Sequence, residues 1–203
     1  MDRKSSRELI HLIVSLVVLT IAFTFPNLDP RIMLIVGFGV GTGFILHELA
    51  HKFTAQRYGY VADYEASPMG LLLALGLSFV TKGGFVFAAP GAVMIRGRNV
   101  LYRPQEDRYR DSLQNAKEFA YISVSGAVVN LVLAASFFIA SLFVMSSGLV
   151  YAILITGARI NVFLAGFNMI PFGPLDGAKV WRYNPVLWLM IGIPSIILFL
   201  LIR

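Results

Sequence analysis

Cysteine is absent from all 203 residues. Disulfides and thiolate metal sites are therefore excluded, and the redox compartment leaves no mark on the chain. Charge is scarce as well: Asp, Glu, Lys and Arg together make up 14%, against about a quarter in ordinary soluble domains. Histidine occurs three times, as His11, His47 and His51. No internal repeat and no low-complexity segment is present.

Apolar residues fill the space that charge leaves. The chain is 57% hydrophobic, with a mean hydropathy of +0.74, which is the composition of an integral, multi-pass membrane protein whose solvent is the lipid bilayer. A net charge of +6 and a pI near 9.8 raise the question of nucleic acid. The basic residues, however, cluster in loops beside apolar runs, as the positive-inside rule requires, and no nucleic-acid partner is expected.

The apolar runs predict an all-α polytopic fold of five to six transmembrane helices in a single domain, 1–203. Once the spans are counted, the length leaves no room for a further folded domain. Spans are expected at about 9–25, 32–56, 119–145, 149–171 and 185–202. The first follows Arg3, Lys4 and Arg7, as a signal peptide would. Its length and the lack of a small-x-small cleavage site favour a membrane helix with a cytoplasmic N-terminus. Gly37, Gly39, Gly41 and Gly43 in the second run let neighbouring helices approach closely.

Residues 69–95 fit a span poorly. Met69 to Val80 is only about half the length needed to cross. Phe85 to Ile95, broken by Pro90-Gly91, has the β-branched and aromatic content of extended strands. A basic stretch follows, with Arg96, Arg98, Arg103, Arg108, Arg110 and Lys117. A re-entrant or β-hairpin element that enters and leaves on the cytoplasmic side keeps these charges inside; a full crossing by 69–80 would put them outside.

Within the second run lies Leu46-His47-Glu48-Leu49-Ala50-His51. Residues four apart share one helix face, so His47 and His51 can hold one metal ion together. Glu48 sits one step round, placed to take the proton of an attacking water without being a ligand. That is the layout of a zinc-dependent hydrolase. The bland alternative is a helix end whose polar residues face the interface, but burying two His and a Glu in lipid is costly without partners or a metal. Catalytic zinc usually takes three protein ligands, and His11 lies at the start of the first run, where an interfacial role suits it better. Asp176 is the best remaining candidate. It stands in Asn168-Met169-Ile170-Pro171-Phe172-Gly173-Pro174-Leu175-Asp176-Gly177, where two prolines and two glycines break the helix and let the Asp turn inward. Taken alone, Asp-Gly is also an ordinary turn. The return of 149–171 toward the cytoplasm brings Asp176 to the same side as His51, and the flanking Lys52 and Arg57 place the site toward the cytoplasmic face.

Taken together these motifs resemble the site-2 protease family of intramembrane zinc metalloproteases, in a minimal form without appended domains. The resemblance rests on His47, Glu48 and His51, on Asn168, Pro171, Leu175, Asp176 and Gly177, and on Gly126-Ala127-Val128-Val129-Asn130, where Ala127 stands in place of the family's usual proline. It runs from about Ile32 to Lys179. It implies one Zn2+ per chain on His47, His51 and Asp176, Glu48 as general base, and Asn130 and Asn168 as polar groups near the scissile carbonyl. It also implies a transmembrane protein substrate, cut where its helix is locally unwound.

A non-enzymatic metal-binding transporter or scaffold is the alternative. A carrier would show polar residues lining several helices and often paired halves, and it has no use for Glu48. Arg159 is an ionisable residue about ten positions into a membrane helix, explained either by local pairing or by a water-filled path to the metal. The segment Phe85–Ile95 is a candidate for holding an extended substrate on an unpaired strand edge; its other reading is a hairpin that plugs the cavity. Oligomeric state leaves no signature in the sequence.

Overall fold

The computed structural model describes residues 3–97 and 108–201. Arg98 and Arg103 of the basic stretch lie outside the described residues. The chain begins with helix α1 (Arg3–Thr24). Asp29 then caps the next helix: its Oδ1 accepts from the backbone N–H of Arg31 at 2.8 Å and of Ile32 at 3.3 Å, with Pro30 at the first helical position. That helix, α2 (Pro30–Val40), runs through a π-helical turn (Gly41–Ile45) into α3 (Leu46–Arg57) without leaving the helical path.

Strand β1 (Val61–Ala66) follows, then α4 (Pro68–Val80), strand β2 (Gly91–Arg96), α5 (Arg108–Ser141), α6 (Leu149–Asn168), α7 (Asp176–Tyr183) and α8 (Pro185–Leu201). Ser67 caps α4, its Oγ accepting from Gly70 N–H at 3.2 Å.

Among the described residues, four helices are long and apolar enough to cross a membrane: Ser5–Thr24, Pro30–Arg57, Asn115–Ser141 and Leu149–Asn168. They answer the first four expected spans. The fifth, expected at 185–202, forms the shorter apolar helix Pro185–Leu201. α4 has 13 residues, about 20 Å at the rise of an α-helix, well short of a bilayer core.

The chain is mostly helical but not all-α, because β1 and β2 pair antiparallel in a two-stranded sheet, with Tyr64 opposite Val93 and Ala66 opposite Gly91. The expected hairpin within 85–95 is replaced by this longer-range pairing. The segment up to Pro90 does not form strand, and the partner lies at 61–66, across α4. The physical reason is period-two burial in β1: Ala62 and Tyr64 are buried beneath the more exposed Val61, Asp63 and Glu65. A short strand carrying two acids hid this alternation.

α6 is the axis of the bundle. From Gly157 to Asn168 all its residues but Arg159 and Phe163 are buried, and it packs against α2, α5 and α8. Close approach to α2 and the π turn that follows it depends on small residues there. A side chain at Gly43 would come within 2.7 Å of Leu164 and 3.1 Å of Asn161, which is the expected use of glycine in this run. The main apolar cluster gathers Leu19, Val40, Phe44, Tyr64, Leu164 and Phe167 from α1, α2, the π turn, β1 and α6.

Candidate metal centre

The π turn hands directly into α3, whose second and sixth residues are His47 and His51. Both are buried, at 3% and 6% exposure, and their rings stand edge to face. Each ring is held by its Nδ1. His47 Nδ1 lies 2.5 Å from Asn130 Oδ1, and His51 Nδ1 lies 2.7 Å from the carbonyl oxygen of Ile122. Both partners are acceptors, so each Nδ1 carries the proton and each Nε2 presents a lone pair.

Those two Nε2 atoms meet 3.0 Å apart. Asp176 Oδ2 closes the triangle, 3.3 Å from His47 Nε2 and 2.9 Å from His51 Nε2. Three acceptors facing one another need a cation among them. A metal bound at about 2.1 Å in tetrahedral geometry would space its ligand atoms by about 3.4 Å, so the triangle needs only a slight expansion to hold one. Among the described residues this is the one cluster of three such side chains able to hold a metal ion.

Asp176 reaches the site because α7 starts hard against the end of α6. A side chain at Gly177 would run into the backbone carbonyls of Met169 and Ile170, so only glycine permits that start. Lys179 Nζ lies 3.0 Å from Asp176 Oδ1. Burial pushes the Asp176 carboxyl up, and the Lys179 ammonium beside it pulls it down. Across the cluster, Gly126 on α5 lies so close that a side chain there would sit 2.6 Å from both Nε2 atoms. The backbone of α5 thus covers the imidazoles directly.

Glu48 shares the same cavity, about 290 Å³ in volume, with His47, His51, Asn168 and Asp176. Its Oε2 is buried without a hydrogen-bond partner, the one such side-chain atom among the described residues. An unpartnered buried carboxylate oxygen is expensive, and it marks a group that awaits something in the cavity.

No family model matches the sequence, and no solved structure does. A protein of Methanocaldococcus jannaschii described as a "putative zinc metalloprotease" is 39% identical over 194 residues, which is 96% of this chain and 93% of that protein. The chain belongs to that metalloprotease family.

In this metalloprotease-family chain the two asparagines take different places. Asn168 lines the cavity, with its Nδ2 donating to the Leu164 carbonyl at 3.0 Å. Asn130 is fully buried behind His47. Its Oδ1 accepts from the ring, and its Nδ2 donates to Gly43 O at 3.2 Å and Asn161 Oδ1 at 2.9 Å. Asn161 in turn donates to Gly157 O at 2.9 Å. This third asparagine, wholly buried in α6, escaped the sequence reading. Its one signal is its place seven residues before Asn168, two turns away on the same helix face. His11 stands apart from the cluster, where its Nδ1 accepts from Ala66 N–H at 3.3 Å and ties α1 to β1.

Proposed function

We propose that the protein is an intramembrane zinc endopeptidase of the site-2 protease type, which hydrolyses peptide bonds of transmembrane segments that have locally unwound. The observation that carries this reading is the convergence of His47 Nε2, His51 Nε2 and Asp176 Oδ2 beside the unpartnered Glu48 Oε2. The donor set of two imidazoles and one carboxylate is that of a catalytic zinc site with an open position. When bound, zinc supplies Lewis-acid chemistry, polarising the scissile carbonyl and acidifying water.

The chain's own residues do the rest. Glu48 accepts the proton of the attacking water and returns it to the departing amine. Asn168 lies on the cavity wall, within the site, and steadies the developing oxyanion with its amide. Asn130 is a positioning residue: it fixes the tautomer and plane of His47. The site lies toward the cytoplasmic end of its helices, by the charges of Lys52 and Arg57 in α3.

Substrate enters as an extended strand against β2. Ser67 N–H donates to Pro90 O at 2.8 Å, which makes that pair a hydrogen-bonded rung. Rungs alternate along an antiparallel ladder, so Val93, three rungs on, points its backbone N–H and C=O away from β1. The outward amides of Tyr64 and Ala66, bound to Glu8 Oε1 and His11 Nδ1, agree with this phase. Ala92, Val93 and Ile95 line the metal cavity, so the strand's unpaired groups can replace the hydrogen bonds an unwinding substrate helix gives up.

The test is cleavage of a membrane-embedded peptide by wild type and Glu48→Gln, with and without a chelator, alongside metal analysis. Wild type is expected to cleave and to lose activity on chelation. Glu48→Gln should keep its zinc while turning over roughly a thousandfold more slowly. Chelator-resistant cleavage, or full activity in the variant, refutes the reading.

A further inference from the structure

Arg159 sits at the middle of α6, eleventh of its 20 residues. Among the described residues its side chain has no hydrogen bond and no ion pair, and it is exposed. It opens into a groove of about 420 Å³ walled by Leu131 and Phe138 of α5, Ile155 and Val162 of α6 and Leu198 of α8. Nearly all of that wall is hydrocarbon. The helix is a candidate membrane span, so at 1.5 Å per residue either end of α6 is roughly 14 Å away along the axis. An extended arginine covers only about half of that distance. A lone guanidinium at this depth is costly and is ordinarily retained because something pairs with it.

We infer that this groove is the docking site for a transmembrane helix of another protein that carries an Asp or Glu near its midpoint. The apolar walls match the body of such a helix, and the buried-depth cation matches its carboxylate. A second copy of this chain does not supply that group. Among the described residues, the acids inside the four candidate spans are Glu8, Glu48 and Glu118. Glu8 is paired with Lys52 near one end of α1, Glu48 faces the metal cavity, and Glu118 is buried near the start of its span. None is a mid-span carboxylate on the lipid-facing surface. The groove shares no residue with the metal cavity, so the docked helix is held at a distance from the cluster, and the inference stands whether or not the chain is a protease.

The experiment is Förster transfer in phosphatidylcholine vesicles. The protein carries a donor dye on Ser147→Cys, a site free of competing thiols because the chain has no cysteine. The probe is a 20-residue Leu/Ala peptide with flanking lysines, an acceptor dye and one central Asp, compared with the same peptide bearing Asn or Leu there. The Asp peptide should associate about tenfold or more tightly than the other two. Arg159→Gln should abolish that preference, and Arg159→Glu should transfer it to a peptide with a central Lys. Equal binding of the Asp, Asn and Leu peptides to wild type overturns the proposal, and needs no variant to fold. Two further results also overturn it. One is a preference that appears only on adding phosphatidylglycerol, which would make the ligand a lipid headgroup. The other is donor self-transfer that depends on Arg159 without peptide, which would make it a second copy.

Discussion

His47 Nε2 and His51 Nε2 stand 3.0 Å apart with no proton to share, because the Nδ1 proton of each ring is already given to an oxygen of α5. The repulsion between those lone pairs is the clearest statement in the molecule of what is meant to lie between them. It also separates the residues that would hold an ion from those that aim them.

The third ligand can be distinguished from its cavity neighbour. Asp176→Ala removes the one carboxylate in the triangle and should lower metal occupancy and activity together. Asn168→Ala should leave occupancy intact and slow turnover, by roughly tenfold to a thousandfold if its amide serves the oxyanion. Metal content and cleavage rate, measured on the same preparations, check both; full metal affinity in Asp176→Ala would place the third ligand elsewhere.

Asn130 holds the far nitrogen of His47 and so would act on a bound ion through that ring. Losing a partner of this kind typically costs 10–100-fold in metal affinity, as an order of magnitude, and Asn130→Ala should fall in that range. Asn130→Asp keeps an acceptor for the His47 proton and should recover part of the loss. A competitive titration with a chromophoric chelator reads the affinity directly. Equal affinities for wild type and the alanine variant would show that the ring needs no such support.

Gly126 sets how closely α5 can lie over the imidazoles. A methyl group there would sit 2.6 Å from both Nε2 atoms, inside van der Waals contact, with α5 backbone behind it. Gly126→Ala should sharply reduce metal binding while the helical circular dichroism stays at wild-type level. Normal metal content in this variant would mean that α5 can move away at little cost.

The unpaired edge of β2 can be probed at a single amide. Val93→Pro removes a backbone donor that faces away from β1, so the ladder itself loses no bond. Cleavage of helical membrane substrates should weaken with metal content unchanged. Wild-type rates from a folded Val93→Pro protein would show that this strand does not present the substrate.

The candidate metal-binding half of the site was readable because it obeys short-range rules. His47 and His51 share a face at a spacing of four, and Asp176 follows a break that prolines and glycines announce. What was hidden depends on how helices lie against each other. Nothing in the type of residue 130 says whether its amide points into the cavity or behind His47; the approach of α5 to α6 decides it, and Asn161 comes into play through the same approach. β1 was missed for a related reason. Two acids in six residues mask a strand whose partner lies across α4, and pairing at that range is not encoded locally. The last helix is apolar enough to be expected and, over the 17 residues described, stands at the low end of the lengths that cross a bilayer.

The π turn at Gly41–Ile45 can be understood as arithmetic. In a plain α-helix every fourth residue overshoots a full turn by about 40°, so a column taken at that spacing winds steadily away from its starting face. A π turn takes in an extra residue and cancels part of the drift. Gly39, Gly43, His47 and His51, each four apart, therefore stay close to one line. The first two seat the helix on α6, and the last two carry their Nε2 atoms toward Asp176. Seating and aiming are thus governed by one rotation: where the glycines lock, the imidazoles are already pointed.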